Sequence, residues 1–127
     1  MDSLIAAALK ARRNAHAPFS KFRVGAAGED EDGHIHTGCN IENATFGLTL
    51  CAERVAVFKA VSEGCKGLRR IAVVADTDTL TPPCGACRQI LWEFCGDIEI
   101  VLANLTGRSE TLRLAELFPR AFDSSFL

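Results

Sequence analysis

Three cysteines and one glutamate carry the chemistry this chain could perform. Cys51 and Glu53 stand in Leu50-Cys51-Ala52-Glu53-Arg54, and Cys84 and Cys87 in Pro82-Pro83-Cys84-Gly85-Ala86-Cys87-Arg88-Gln89. Cysteines three apart at the first turn of a helix point their thiols the same way. Cys51 holds a similar place, near the start of a long apolar-periodic stretch. Helix N-termini carry partial positive charge, which favours thiolate over thiol. Three thiolates on Zn²⁺ leave one tetrahedral position open, the mark of a catalytic rather than a structural zinc. Glu53 is close enough to reach a water at that position without being a ligand. A lone Cys-x-x-Cys also fits redox chemistry or half of a structural zinc site, but redox chemistry would leave the Cys-x-Glu idle. His34 and His36 are the rivals for a fourth ligand. Flanking Ile35 on a strand they share one face, read here as the wet face, where both are ordinary surface residues. Cys39, Cys65 and Cys95 lack metal spacing and read as structural.

The elements that must position these groups follow from periodicity. Leu4, Ile5, Ala8, Leu9 and Ala11 recur at helical spacing, which predicts a helix over about 2–14, stopped before Pro18. Residues 19–27 form a loop entering a strand, and Glu29 to Gly33 an acidic turn with a hairpin-forming Asp-Gly. His34 to Ile41 is the returning strand. A second helix runs from about Thr49 to Glu63, with Cys51, Val55, Phe58 and Val61 as its buried stripe and Gly64 as terminator. Ile71 to Ala75 is a continuous apolar run, typical of a strand covered on both faces. Pro83 suits the first position of a helix that continues from Cys84 to Phe94, with Ile90, Leu91 and Phe94 facing the core. Ile98 to Ala103 is a strand, Asn104 to Gly107 a turn, Glu110 to Leu114 a further strand, and 115–118 a short helix. This α-β-β-α-β-α-β-β-α order indicates one layered α/β domain over residues 1–127, with helices on a mixed sheet.

Composition narrows the function. The 127 residues are 48% hydrophobic and 24% charged, the profile of a globular chain that can bury a sizeable core. A formal net charge of −2 supplies no long-range attraction for nucleic acid or an anionic membrane. No apolar run is long enough to span a bilayer, and Met1-Asp2-Ser3-Leu4 lacks the basic region of a signal peptide. A reducing, cytoplasmic location is the expectation. Six cysteines there read as metal ligands or buried thiols.

Asn40-Ile41-Glu42-Asn43-Ala44, Cys51-Ala52-Glu53-Arg54 and Pro83-Cys84-Gly85-Ala86-Cys87-Arg88-Gln89 together resemble the small homotetrameric cytidine deaminases. The similarity extends through Pro18 to Phe22, Val24 to Ala27, Phe58 to Gly64 and Pro119 to Phe122, nearly the whole chain. The resemblance implies a three-layer α-β-α sandwich with a mixed central sheet of about five strands. It implies one Zn²⁺ per chain on Cys51, Cys84 and Cys87, and hydrolytic deamination of free cytidine and 2′-deoxycytidine in pyrimidine salvage. In that reaction Glu53 passes a proton from the metal-activated water to N3 of the base and, after attack at C4, protonates the leaving ammonia in a second transfer. Arg54 is similar to an arginine that hydrogen-bonds the cysteine sulfurs. By the same resemblance Phe22 stacks near the pyrimidine, while the backbone of Ala52 and the carbonyl of Pro82 contact the base. Asn40 and Glu42 bond the sugar 3′-OH, Gln89 supports the site, and Phe122 covers the base in a neighbouring subunit's site. By residue type alone Phe22 is a core residue, and Asn40 and Glu42 are solvated turn residues.

The chain also departs from that family. It has no tyrosine, and Phe19 and Phe46 stand where relatives often carry one. Arg23 occupies a variable position, and Gly28 replaces a usual apolar residue, which predicts a looser strand. A deaminase of a nucleoside analogue such as blasticidin S is the alternative. A structural-zinc module completed by His34 or His36 is the non-enzymatic one.

Overall fold

The apolar runs over 71–75 and 98–103 form the centre of the fold. The computed structural model describes residues 2–127. Its strands are β1 (Val24–Glu29), β2 (Ile35–Cys39), β3 (Arg70–Ala75), β4 (Glu99–Ala103) and β5 (Ser109–Arg113); its helices are α1 (Ser3–Arg12), α2 (Ala52–Ser62), α3 (Gly85–Cys95) and α4 (Leu114–Leu117). The strands make one sheet in the order β2-β1-β3-β4-β5. Only β3 and β4 pair in parallel; the other pairs are antiparallel.

Strand side chains alternate between faces, and the core divides accordingly. Ala26, Ile71, Val73, Ala75, Ile100 and Leu102 pack with Ala56, Val57 and Ala60 of α2, Leu91 of α3 and Leu114 of α4. Ala27, Ala72, Val74, Val101 and Ala103 pack on the opposite face with Leu4 and Ala8 of α1. The result is an α-β-α sandwich with a mixed five-stranded sheet, as expected. Asp2 caps α1 by accepting from the Leu4 N–H at 2.8 Å. Among the described residues no helix is long and apolar enough to cross a membrane.

Four local expectations change. The buried face of α2 is Ala52, Glu53, Ala56, Val57 and Ala60, not the stripe through Phe58. Small side chains let this face lie close on the sheet, which turns Phe58 outward, edge-on to the equally exposed Phe94 with ring centroids 6.3 Å apart. Pro83 precedes the cap of α3 rather than opening the helix; Cys84 is the cap. His34 and His36 part company. His34 lies in the exposed turn, whereas His36 shares the inward face of β2 with Gly38 and is buried. Burial of an imidazole requires polar partners, and His36 finds the Asp30 carboxylate at 2.9 Å. Asp30, in the acidic turn, is itself buried.

Gly28 does not loosen its strand. Every residue of β1 is buried, and a Cβ at Gly28 would stand 2.2 Å from Leu68 Cδ1. The missing side chain is the space that Leu68 fills. Gly38 has an equivalent role for α2: a Cβ there would meet the Ala52 carbonyl oxygen at 2.5 Å and the Ala56 nitrogen at 2.6 Å. This close approach sets the depth at which the N-terminus of α2 rests on the sheet.

Candidate metal centre and substrate cleft

Both cysteine segments enter helices the same way. Cys51 caps α2 and Cys84 caps α3, each with extended backbone geometry, and Cys87 sits in the first turn of α3. α2 and α3 pack side by side, so their N-termini bring the three thiols together. Cys51 Sγ is 3.8 Å from Cys84 Sγ, and Cys84 Sγ is 3.5 Å from Cys87 Sγ. All three sulfurs lie within 4.8 Å of one another. Zn–S bonds of about 2.3 Å at tetrahedral angles separate sulfurs by roughly 3.8 Å, so the residues present fit zinc with little movement.

The surroundings favour a thiolate at Cys51. Arg54 Nη2 donates to Cys51 Sγ at 3.3 Å and to the Thr49 carbonyl at 3.3 Å. The Cys51 pKa is pulled well below the usual thiol range, first by the hydrogen bond from the Cys87 thiol and then by Arg54. Cys87 is pushed far up by holding that shared proton and by burial. Glu53, only 5% exposed, has its pKa raised to about 7, chiefly by burial. A carboxyl of that strength exchanges protons readily near neutral pH.

A cleft of about 160 Å³ opens beside these groups and is lined by Phe22, Asn40, Cys51, Ala52, Glu53, Pro82 and Cys84, among others. Asn40 is buried and fastens the wall: its Oδ1 accepts from the Val24 N–H at 2.9 Å and its Nδ2 donates to the Phe22 carbonyl at 2.7 Å. Glu42 lies outside this cleft, in an adjoining hollow with Phe19, Ser20 and Phe46. Its Oε1 accepts from the N–H groups of Phe19 and Ser20 at 2.9 and 3.1 Å, and its Oε2 from the Ser20 hydroxyl. That hydroxyl is the main reason its pKa is depressed. Phe19 and Phe46, without hydroxyls, meet edge to face at 6.1 Å.

Phe122 is not among the residues lining its own chain's cleft. It stacks on Phe126 at 5.6 Å, largely exposed, and its carbonyl accepts from Gln89 Nε2 at 2.9 Å. Among the described residues no histidine joins the cysteine cluster. His36 is committed to Asp30 beyond the opposite end of α2, so the structural-zinc reading loses its fourth ligand.

Sequence reasoning passed over Thr49 and Thr81, which line the cleft, and Arg88. Arg88 Nε donates to the Pro83 carbonyl at 2.7 Å and its Nη1 to the Leu117 carbonyl, tying the Pro82-Pro83 turn to α4. Its place four residues after Cys84, on the same helical face, was the available signal.

A family model described as the cytidine and deoxycytidylate deaminase zinc-binding region matches residues 1–103. The chain is 51% identical over 128 residues to a cytidine deaminase of Sporosarcina psychrophila, covering 100% of this chain and 94% of that protein. It is 52% identical over 120 residues to one from Halalkalibacterium halodurans, covering 94% and 91%. The crystal structure of cytidine deaminase from Burkholderia pseudomallei superposes with a TM-score of 0.92 at 45% identity, covering 94% of this chain and 97% of that one. That of the Mycobacterium tuberculosis enzyme gives 0.80 at 40%, covering 95% of each. The family match runs across all three clustered thiols and Glu53, and on these grounds the chain belongs to the cytidine and deoxycytidylate deaminase family.

Proposed function

We propose that this protein hydrolyses the C4 amine of free cytidine and 2′-deoxycytidine, releasing ammonia with uridine or 2′-deoxyuridine, as a step of pyrimidine salvage in the cytoplasm. The observation that carries this reading is the buried Glu53 beside three clustered thiols at the wall of a base-sized cleft. Cys51, Cys84 and Cys87 would hold one zinc per chain. Zinc bound there supplies a Lewis acid that lowers the pKa of a coordinated water toward neutrality.

The remaining work falls to side chains and backbone. Glu53 takes one proton of the attacking water on a carboxylate oxygen and delivers it to N3 of the base, where it stays. It then takes the second, from the new C4 hydroxyl, and passes it to the departing N4 amine as the C4 carbonyl forms. Its raised pKa supports both directions of transfer. Arg54, donating to Cys51 Sγ, offsets the negative charge that three thiolates place around a dication. Phe22 lies along the base, and the backbone of Ala52 and the Pro82 carbonyl fix its edge. Asn40 has spent one Nδ2–H and one Oδ1 lone pair on the wall, which leaves one of each for the sugar 3′-OH. Glu42, held ionised by the Phe19–Ser20 backbone and hydroxyl, receives the same hydroxyl and repels a 3′-phosphate.

The whole chain acts as one domain, and four copies form the active assembly. Support comes from the exposed apolar groups Phe19, Phe46, Leu48, Phe122 and Phe126, which a second copy can cover. Phe122 then closes a neighbour's cleft. The test is ammonia release by the zinc-loaded protein from a panel of cytidine, 2′-deoxycytidine, their monophosphates, cytosine and blasticidin S. Turnover of the first two supports the reading. A preparation with intact zinc that releases ammonia from neither, or from the antibiotic alone, overturns it.

A further inference from the structure

The β1–β2 hairpin and the segment after α2 bring three metal-ligating side chains together in a place that deamination does not use. Asp30 Oδ2 lies 2.9 Å from His36 Nε2, and Cys65 Sγ lies 3.4 Å from each of them. Asp30 and His36 are buried and Cys65 is half-buried. Asp30 and Cys65 border a hollow of about 540 Å³ that His34 and Glu63 also line. We propose that Asp30, His36 and Cys65 form a second site for a divalent cation of the zinc type, which clips the hairpin to the C-terminal end of α2.

The dimensions suit that ion. Bonds of about 2.3 Å to sulfur and 2.0–2.1 Å to nitrogen and oxygen give tetrahedral edges of roughly 3.6 Å and 3.4 Å. The observed edges need to widen by only a few tenths of an ångström. The ligands are also oriented. Asp30 Oδ1 accepts from the N–H groups of Asp32 and His34 at 2.9 and 3.0 Å, which aims Oδ2 into the cluster. Glu63 Oε2 stands 3.8 Å from His36 Nδ1, the other ring nitrogen. A carboxylate there favours the Nδ1–H tautomer and frees the Nε2 lone pair for a metal.

Charge balances as well. One aspartate, one thiolate and one neutral imidazole sum to −2 against a dication, so the half-buried site closes without net charge. It also sits just past the C-terminus of α2, where helix carbonyls favour a cation. On loading, the Cys65 thiol releases one proton to solvent, and the His36 proton transfers from Nε2 to Nδ1. His34 Nδ1, on an exposed ring 3.6 Å from Asp30 Oδ2, can take the fourth position; otherwise water does. The mixed sulfur, nitrogen and oxygen set selects zinc over calcium or magnesium, which take oxygen ligands. The eleven residues of α2 hold the site about 16 Å from the cysteine cluster along the helix axis. It is therefore a separate centre.

The experiment compares the zinc content of the parent chain with that of Cys65→Ala and His36→Gln, each equilibrated with the same buffered zinc and measured by atomic emission. Two further readouts are the rise in Tm on adding zinc and, after cobalt substitution, the thiolate-to-cobalt charge-transfer absorption. Parent and variant differing by one metal per chain is the expected result. Zinc should raise the parent Tm by about 5–10 °C more than that of the variants, which keep only the cysteine cluster, with cytidine turnover unchanged in both variants. Because the quantity read is a difference, it stands apart from occupancy of the cysteine cluster. Equal zinc content in the parent and either folded variant overturns the proposal. If one variant fails to fold, the other carries the comparison.

Discussion

Gly38→Ala tests whether the depth of α2 on the sheet controls the candidate site. The added Cβ would stand 2.5 Å from the Ala52 carbonyl oxygen and 2.6 Å from the Ala56 nitrogen. Both are backbone atoms of one helix and cannot swing aside as a side chain can. Restoring ordinary contact near 3.4 Å obliges the first turn of α2 to withdraw by about 0.9 Å. That turn carries Ala52 and Glu53 and begins at Cys51. Overpacking of this kind costs about 1–3 kcal/mol, a fall in Tm of roughly 3–15 °C for a chain of this size. Displacing a catalytic group by about 1 Å lowers turnover by as much as 100-fold. We therefore expect kcat on cytidine to drop between about 10- and 100-fold, with zinc retained because the thiols are flexible at their tips. Circular dichroism melts, zinc analysis and initial rates on the purified variant give the three numbers. A variant with parental Tm and parental kcat would refute the claim that this glycine sets the position of Glu53.

Glu53→Gln should leave fold and zinc at the cysteine cluster intact yet slow deamination by about 10²–10⁴-fold, since the amide fills the same space but carries no proton; a rate within tenfold of the parent would remove Glu53 from the chemistry. Arg54→Gln removes the donor to Cys51 Sγ and should weaken zinc binding about 10–100-fold in a chelator competition; unchanged affinity would make the arginine purely structural. Co-refolding Phe122→Ala chains with Glu53→Gln chains should restore activity above the sum of the two if Phe122 covers a neighbour's base, and no gain would place it in cis or outside the site. Nucleoside 3′-phosphates should turn over poorly because Glu42 is anionic beside the sugar position; efficient turnover would dissociate Glu42 from the 3′-OH.

The sequence by itself determined what depends on neighbours along the chain. Two cysteine segments at helix starts, an Asp-Gly reversal and two continuous apolar strands are short-range signals, and each element appears within a few residues of its expected place. The three-thiol cluster was legible for the same reason: Cys84 and Cys87 share a helix turn, and Cys51 stands at the start of a second helix. Tertiary structure alone decided what each face would touch. α2 buries Ala56 and Val57 rather than Phe58 because a small-residue face lies closer to the sheet. Gly28 is an accommodation for Leu68, forty residues away. Asn40 and Glu42 are occupied with backbone of residues 19–24 that no spacing rule connects to them. His36 reads as a surface residue until Asp30 and Cys65 arrive from separate segments to satisfy it. Periodicity specifies that a side chain has a face, but the partner on that face comes from distant sequence. Burial, hydrogen bonding and ionisation all depend on the partner, which is why they become visible only when the sheet is assembled.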